Sequence, residues 1–130
     1  PTYVFCGEDD HIVPWRSAYA SARCVGGAVR FVLGEAGHVA GVVNPPGGKY
    51  GHWASGRSGP RFPEDPDAWR ATATFRKESW WRDWGRWIAR HGGGWCAARD
   101  AGGPGGAHML APAPGAYLLA RRADEQGGEK

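Results

Sequence analysis

Cysteine, long apolar runs and charge of one sign are all scarce in this chain, and each scarcity excludes something. The three cysteines, Cys6, Cys24 and Cys96, are odd in number and match no metal-ligand spacing. No metal site is therefore expected, and a reduced, cytoplasmic setting is the simplest reading. No run approaches the roughly 20 apolar residues of a membrane span, and no signal-peptide pattern is present. The net charge is +3 with Lys and Arg scattered, so there is no basic stripe for nucleic acid. Neither G-x-S-x-G nor G-x-C-x-G occurs, so the turn that presents a nucleophile in many hydrolases is missing. Pro1 stands inside an apolar run, and the expectation is a fragment lacking its N-terminal part.

What is present is unevenly distributed. The 130 residues fit one domain or part of one. Eight tryptophans are a heavy aromatic load, while 22 glycines and 10 prolines approach a low-complexity level. The two groups overlap little. That separation divides the chain into a packed part, 1–91, and a Gly-rich linker with an extended tail, 92–130.

Thr2–Cys6 (TYVFC) is short, β-branched and aromatic, as a buried strand is. Pro14 suits a first helical position, and Trp15, Ala18, Tyr19 and Ala22 recur at helical spacing until Gly26-Gly27. Ala28–Leu33 (AVRFVL) is a second strand, and the βαβ unit so formed predicts parallel strands. The stretch NPPGGKYGHWASGRSGPRFPE, 44–64, is expected to be irregular. Asp65-Pro66 supplies an N-cap and first-turn proline for a short helix through about Phe75. Ser79–His91 is the most periodic segment, with Trp80, Trp84, Trp87 and Ile88 on one face; Trp80, Trp84 and Trp87 are expected to be mostly covered in the full protein, with Arg82 and Asp83 in water. Ala111–Arg122 looks extended, and the last eight residues look disordered.

The phrase GEDDHIVPW poses the chemical question, because three adjacent carboxylates repel one another unless water or a cation takes them up. In a parallel unit the loops after both strands leave the same sheet edge, where open α/β sheets place ligands. Asp10 stands just past the first strand and His38 just past the second. Neighbouring strands lie about 4.8 Å apart, so carboxylate and imidazole are within reach. A carboxylate on one ring nitrogen fixes the tautomer and leaves the other nitrogen as a base. Acid then histidine is also the α/β-hydrolase order for the second and third triad members. Acids and histidines at strand ends are nonetheless common surface residues, and position alone leaves both readings open.

The stretches EDDHIVPW, RFVLGEAGHVAGVVNPP, HW, DPDAW, SWWRDWGRWIA and PAPGAY, in that order through about residue 122, resemble the C-terminal part of class I polyhydroxyalkanoate synthases. D-H-I-V-P-W together with G-H-x-A-G-V-x-N-P-P is the specific part of the match. The resemblance implies an α/β class, the C-terminal fragment of an α/β-hydrolase fold with a βαβ unit and C-terminal helices. It implies an acyltransferase that polymerises 3-hydroxyacyl-CoA with release of CoA, through a Cys-His-Asp triad and without a cofactor. Its partners would be 3-hydroxyacyl-CoA, the growing polyester chain, a second copy as a homodimer, and the polymer granule surface in the cytoplasm. By motif, Asp10 would be the acid and His38 the base, with the cysteine upstream and absent, so that this chain alone is expected to be inactive. Glu8 and Asp9 would be solvated neighbours.

Other residues carry weaker signals. His11 is read as lining the substrate entrance or as capping the following helix. Glu35, where the family has a small residue, either competes with Asp10 or faces solvent, and solvent is the expectation. His52-Trp53 is expected to anchor a loop by packing. Cys96, beside a glycine run, is the cysteine most exposed to oxidation. The rival functions are another α/β-hydrolase, such as an esterase or depolymerase, and a non-catalytic granule-surface module built on the tryptophan helix.

Overall fold

A computed structural model describes residues 1–55, 62–98 and 111–117. Two compact units are present, Pro1–Gly93 and Gly94–Lys130. The first is a mixed α/β unit of β1 (Thr2–Gly7), α1 (Trp15–Arg23), β2 (Val29–Gly34), β3 (His52–Ala54), α2 (Pro66–Thr72), β4 (Thr74–Arg76) and α3 (Trp80–His91). The four strands form one sheet in chain order. β1 and β2 run parallel with Val4 opposite Phe31 and Cys6 opposite Leu33, as the βαβ pattern predicts. β3 and β4 then add as antiparallel strands.

Side chains alternate across a strand, so each sheet face collects its own set. Val4, Cys6, Val29, Phe31 and Leu33 meet Trp15, Tyr19 and Ala22 of α1 and Trp69 of α2, and this is the core. Covering Trp69, which is 1% exposed, contributes at most about 5 kcal/mol by area. The opposite face carries Tyr3 and Phe5. Trp80 stacks on Phe5 with ring centres 4.1 Å apart, and Trp87 meets Tyr3 edge-on at 5.5 Å. α3 therefore packs on the face that α1 leaves open.

Three expectations are corrected here. The segment after His38 is not wholly irregular, because His52–Ala54 pairs with β2. Three residues are too few to show a period, and only the neighbouring strand makes them one. Gly51 permits the approach, since a Cβ there would lie 2.5 Å from the Phe75 ring. Helix α2 stops at Thr72 rather than near Phe75. Its Asp65 cap and Pro66 start hold, but Ala73 is extended and Thr74–Arg76 join the sheet as β4.

The third correction concerns α3. Trp80, Asp83 and Trp87 share one face at helical spacing, and it is Asp83, 5% exposed, that the sheet covers. Trp84, expected to be covered in the full protein, is 41% exposed in this chain. The reason lies on β2. Arg30 faces α3 and requires a countercharge, and Asp83 supplies it through Arg30 Nε at 2.6 Å and Nη2. Tyr3 Oη donates to the same carboxylate at 3.1 Å, and Arg76 Nη1 lies 3.4 Å from it.

In the second unit, Ala111–Tyr117 forms a turn in place of an extended strand, with Gly115 N donating to Pro112 O at 3.0 Å. The glycine-rich run from 99 onward and the tail beyond 117 lie outside the described residues.

Candidate functional site

The loops after β1 and β2 leave the same sheet edge and are tied together by backbone bonds. Glu8 N donates to Gly34 O at 2.8 Å and Asp9 N to Ala36 O at 3.3 Å. A side chain at position 7 would collide with the Ala36 carbonyl, so only glycine lets the loops approach this closely. Ala36 itself takes φ +86°, a left-handed conformation that non-glycine residues rarely adopt. Such strain is stored where surrounding contacts over-determine the backbone.

Asp10 lies within this frame. Its Oδ1 accepts the backbone N–H groups of Ile12 at 2.9 Å and Val13 at 2.8 Å. Its Oδ2 lies 2.9 Å from Nδ1 of His38, 28 residues further along the chain. The Val13 N–H is the main cause holding the Asp10 carboxyl below its usual range. Partial burial opposes that shift, and His38 and the Ile12 N–H add to it. A carboxylate can only accept, so Nδ1 of His38 carries the hydrogen. In the neutral ring the lone pair then sits on Nε2, to which no described residue bonds. Asp10 is sheltered, its side chain 7% exposed, whereas that of His38 is 44% exposed. This arrangement can remove a proton from a group brought to the outer face of the ring.

The neighbouring residues divide differently from expectation. Glu8 is not a freely solvated acid: Arg70 Nη2 reaches it at 3.2 Å while stacking over Trp53. Asp9 is exposed. Glu35 neither competes for His38 nor points to water, because its Oε2 accepts the Gly51 N–H at 2.7 Å and so steadies the start of β3. His11 is exposed and is not the cap of α1, whose N-cap is Pro14 without a side-chain bond. His52 is fully buried in β3 rather than in a loop, with Nδ1 donating to Glu78 O at 2.8 Å. Burial is the largest cause pushing its pKa below the ordinary histidine range.

A recess of about 400 Å³ opens beside the site, lined by Glu8, Asp9, Glu35, Ala36, Gly37, Ala40 and Tyr50. Among the described residues no group of three or more His, Cys, Asp or Glu side chains is arranged to hold a metal ion. No described helix is long and apolar enough to cross a membrane. Cys6 is buried on β1, and burial pushes its thiol up to about 12, so it is no ready nucleophile. Cys24 and Cys96 are exposed.

Residues that position alone did not suggest complete the site. Ser79, Trp80 and Trp81 at the start of α3 reach back to the segment that follows His38. The only signal for them in the sequence is the S-W-W run at a helix start.

No family model matches the chain. It is 43% identical over 122 residues, 93% of its length, to the poly(3-hydroxyalkanoate) polymerase subunit PhaC of Cupriavidus necator. It is 38% identical over 120 residues to poly(3-hydroxyalkanoate) polymerase 2 of Ectopseudomonas oleovorans, and 38% over 122 to the PhaC subunit of Rhizobium etli. The matched segments are 20%, 21% and 18% of those proteins, so the chain spans about a fifth of the length of these curated relatives.

Proposed function

The chain belongs to the poly(3-hydroxyalkanoate) polymerase family, and we propose that it supplies the acid and the base of that polymerase's acyl-transfer site. On this reading the β1–α1–β2 unit and the strands and helices after it are the C-terminal part of an α/β-hydrolase domain. The observation that carries the reading is the Asp10–His38 contact at 2.9 Å, with Nε2 of His38 open on its outer face.

A cysteine contributed by polymerase residues outside these 130 would lie against that face. His38 Nε2 takes the thiol proton, and the thiolate attacks the carbonyl carbon of 3-hydroxyacyl-CoA. The tetrahedral intermediate collapses with rupture of the bond to the CoA sulfur. CoA leaves as the thiol after receiving the proton from the imidazolium, and the acyl group remains as an enzyme thioester. The 3-hydroxyl of a second 3-hydroxyacyl-CoA then passes its proton to the base and attacks that thioester carbonyl. The bond to the cysteine sulfur breaks, and the cysteine leaves as the thiol with the proton from the imidazolium. The chain, one unit longer, remains as the thioester of the second CoA. Asp10 holds His38 in the required tautomer and compensates its positive charge in both steps. Function as a homodimer at the granule surface in the cytoplasm is part of the same proposal.

The test is single-turnover CoA release by the intact polymerase. His38→Ala should slow acylation roughly 10³- to 10⁴-fold, since losing one member of such a unit removes most of its effect. Acylation by His38→Ala at the parent rate would overturn the assignment.

A further inference from the structure

We propose that the indole N–H groups of Trp80 and Trp81 are positioning groups for His38, an inference that rests on the role given to His38 above. The residues after His38 make a single helical turn, with Gly41 N bonded to Gly37 O and Val43 N to Val39 O, each at 2.9 Å. A turn this short leaves its last carbonyls without partners of its own. Three consecutive residues at the start of α3 take them up. Trp80 Nε1 donates to Gly41 O at 3.0 Å, Trp81 Nε1 to Val42 O at 3.0 Å, and Ser79 Oγ to Asn44 O. Ser79 Oγ also accepts Trp81 N at 3.1 Å, so the end of the turn and the start of α3 cap each other.

Besides these bonds, Asn44 Nδ2 donates to Tyr50 O at 2.8 Å. Val39, Val42 and Val43 are all exposed, so burial of apolar side chains does not fix the position of the turn. The indoles do have a rigid base. Trp80 is stacked on Phe5 of β1, and Phe5 lies in the strand that leads to Asp10. A closed circuit results: from Phe5 through Trp80 to Gly41, back along the turn to His38, and across to Asp10. At the other end Ala36 O is held by Asp9 N. The turn is clamped on both sides, and His38 stands between the clamps. Loosening the indole side lets the imidazole swing away from Asp10.

The experiment uses the intact polymerase with Trp81, and separately Trp80, replaced by 3-benzothienylalanine, which keeps ring shape and area but has sulfur in place of the N–H. Trp81→Phe serves as the genetically encoded counterpart. Acylation kcat should fall about 10-fold for either replacement and by little more for both, because the two indoles act through the same turn, as expected when a catalytic group is misplaced by a fraction of an ångström. KM and Tm should stay at the parent values. Replacement by 7-azatryptophan, which retains the N–H, should restore kcat. In an Asp10→Asn background the loss should shrink to less than about two-fold, because groups acting through one contact are not additive. If His38→Ala abolishes acylation while both isosteres behave like the parent, this inference fails and the role of His38 stands. Equal losses in the Asp10→Asn background, or a drop in Tm that accounts for the rate, would reduce the tryptophans to packing and overturn it. If His38→Ala acylates normally, the underlying reading falls and takes this inference with it.

Discussion

Asp10 and Asp83 are nearly equally sheltered, with side chains 7% and 5% exposed, and both are held below the usual carboxylate range. What separates them is the partner. Asp83 is pushed up by burial, but the Arg30 guanidinium bonded to it outweighs that, with help from Tyr3 and His52. Its main cation cannot lose its proton, so the pair can only hold α3 to the sheet. Asp10 is stabilised chiefly by the Val13 N–H of its own loop, which leaves its second oxygen for a titratable ring that is 44% exposed. Shelter alone does not mark a working acid. The proposed role of Asp10 rests instead on a partner that can exchange a proton and has a face open to do so.

Substitution at the two positions should therefore have crossed effects, and these are the largest expected. Asp10→Asn in the intact polymerase should slow acylation by about 10³- to 10⁴-fold, because an amide facing Nδ1 favours the wrong tautomer. Its unfolding midpoint should stay at the parent value, since Asn keeps an oxygen for the Ile12 and Val13 N–H groups. Asp83→Ala should instead cost about 3–5 kcal/mol of stability, measured by urea unfolding, because Arg30 is left covered without a countercharge. The protein that still folds should acylate at near the parent rate. A large stability loss at Asp10, or an intact stability at Asp83, would break the contrast.

The same pair shows which parts of the molecule were legible in the sequence. Asp10 and His38 could be placed because both sit one loop beyond a strand of a βαβ unit, and parallel topology brings such loops to one edge. The N-cap Asp65 was legible for a similarly local reason. Asp83 was misplaced because helical periodicity counts it as a polar position, and nothing local reveals that Arg30 stands on the facing strand. β3 and β4 were missed because each is three residues long and exists only through the neighbour it pairs with. Glu35 went the same way, since its partner is a backbone N–H contributed by one of those short strands. Local chemistry was readable, whereas partners supplied by distant elements were not.

Acidity gives an intermediate test. Asp83 has its folded pKa below the unfolded value of about 3.9, so its contribution is fully present above that pH. It is lost as pH falls from there through the lower folded value. Cys6 and Tyr3 are shifted the opposite way, Cys6 from 9.0 to about 12, by burial. Their contributions are complete below the unfolded values and fade as pH rises, for Cys6 between 9.0 and about 12. Unfolding midpoints should form a plateau between roughly pH 5 and 8, with an acid limb that Asp83→Asn flattens and an alkaline limb that Cys6→Ala flattens. An acid limb unchanged in Asp83→Asn would mean that the Arg30 pair does not hold the fold.

Glu35 gives the smallest effect and the finest test, because it is a third carboxylate near the same edge. Its backbone N donates to Gly51 O at 3.0 Å while its Oε2 accepts Gly51 N at 2.7 Å, so one residue closes both bonds to the buried start of β3. The partner is a neutral N–H, which requires an acceptor but no charge. Glu35→Gln keeps an oxygen for that role and should cost no more than about 1 kcal/mol. Glu35→Ala leaves the covered Gly51 N–H unpaired and should cost about 1–3 kcal/mol. Both variants should acylate within about three-fold of the parent, as is usual for a residue that touches neither member of the catalytic pair. Paired urea unfolding and single-turnover CoA release separate the two quantities. If Glu35→Gln slows acylation as Asp10→Asn does, then a second acid bears on His38, and charge near the ring matters beyond the carboxylate that touches it. If only Glu35→Ala is affected, and only in stability, the edge has one working carboxylate and one that fastens the strand beside it.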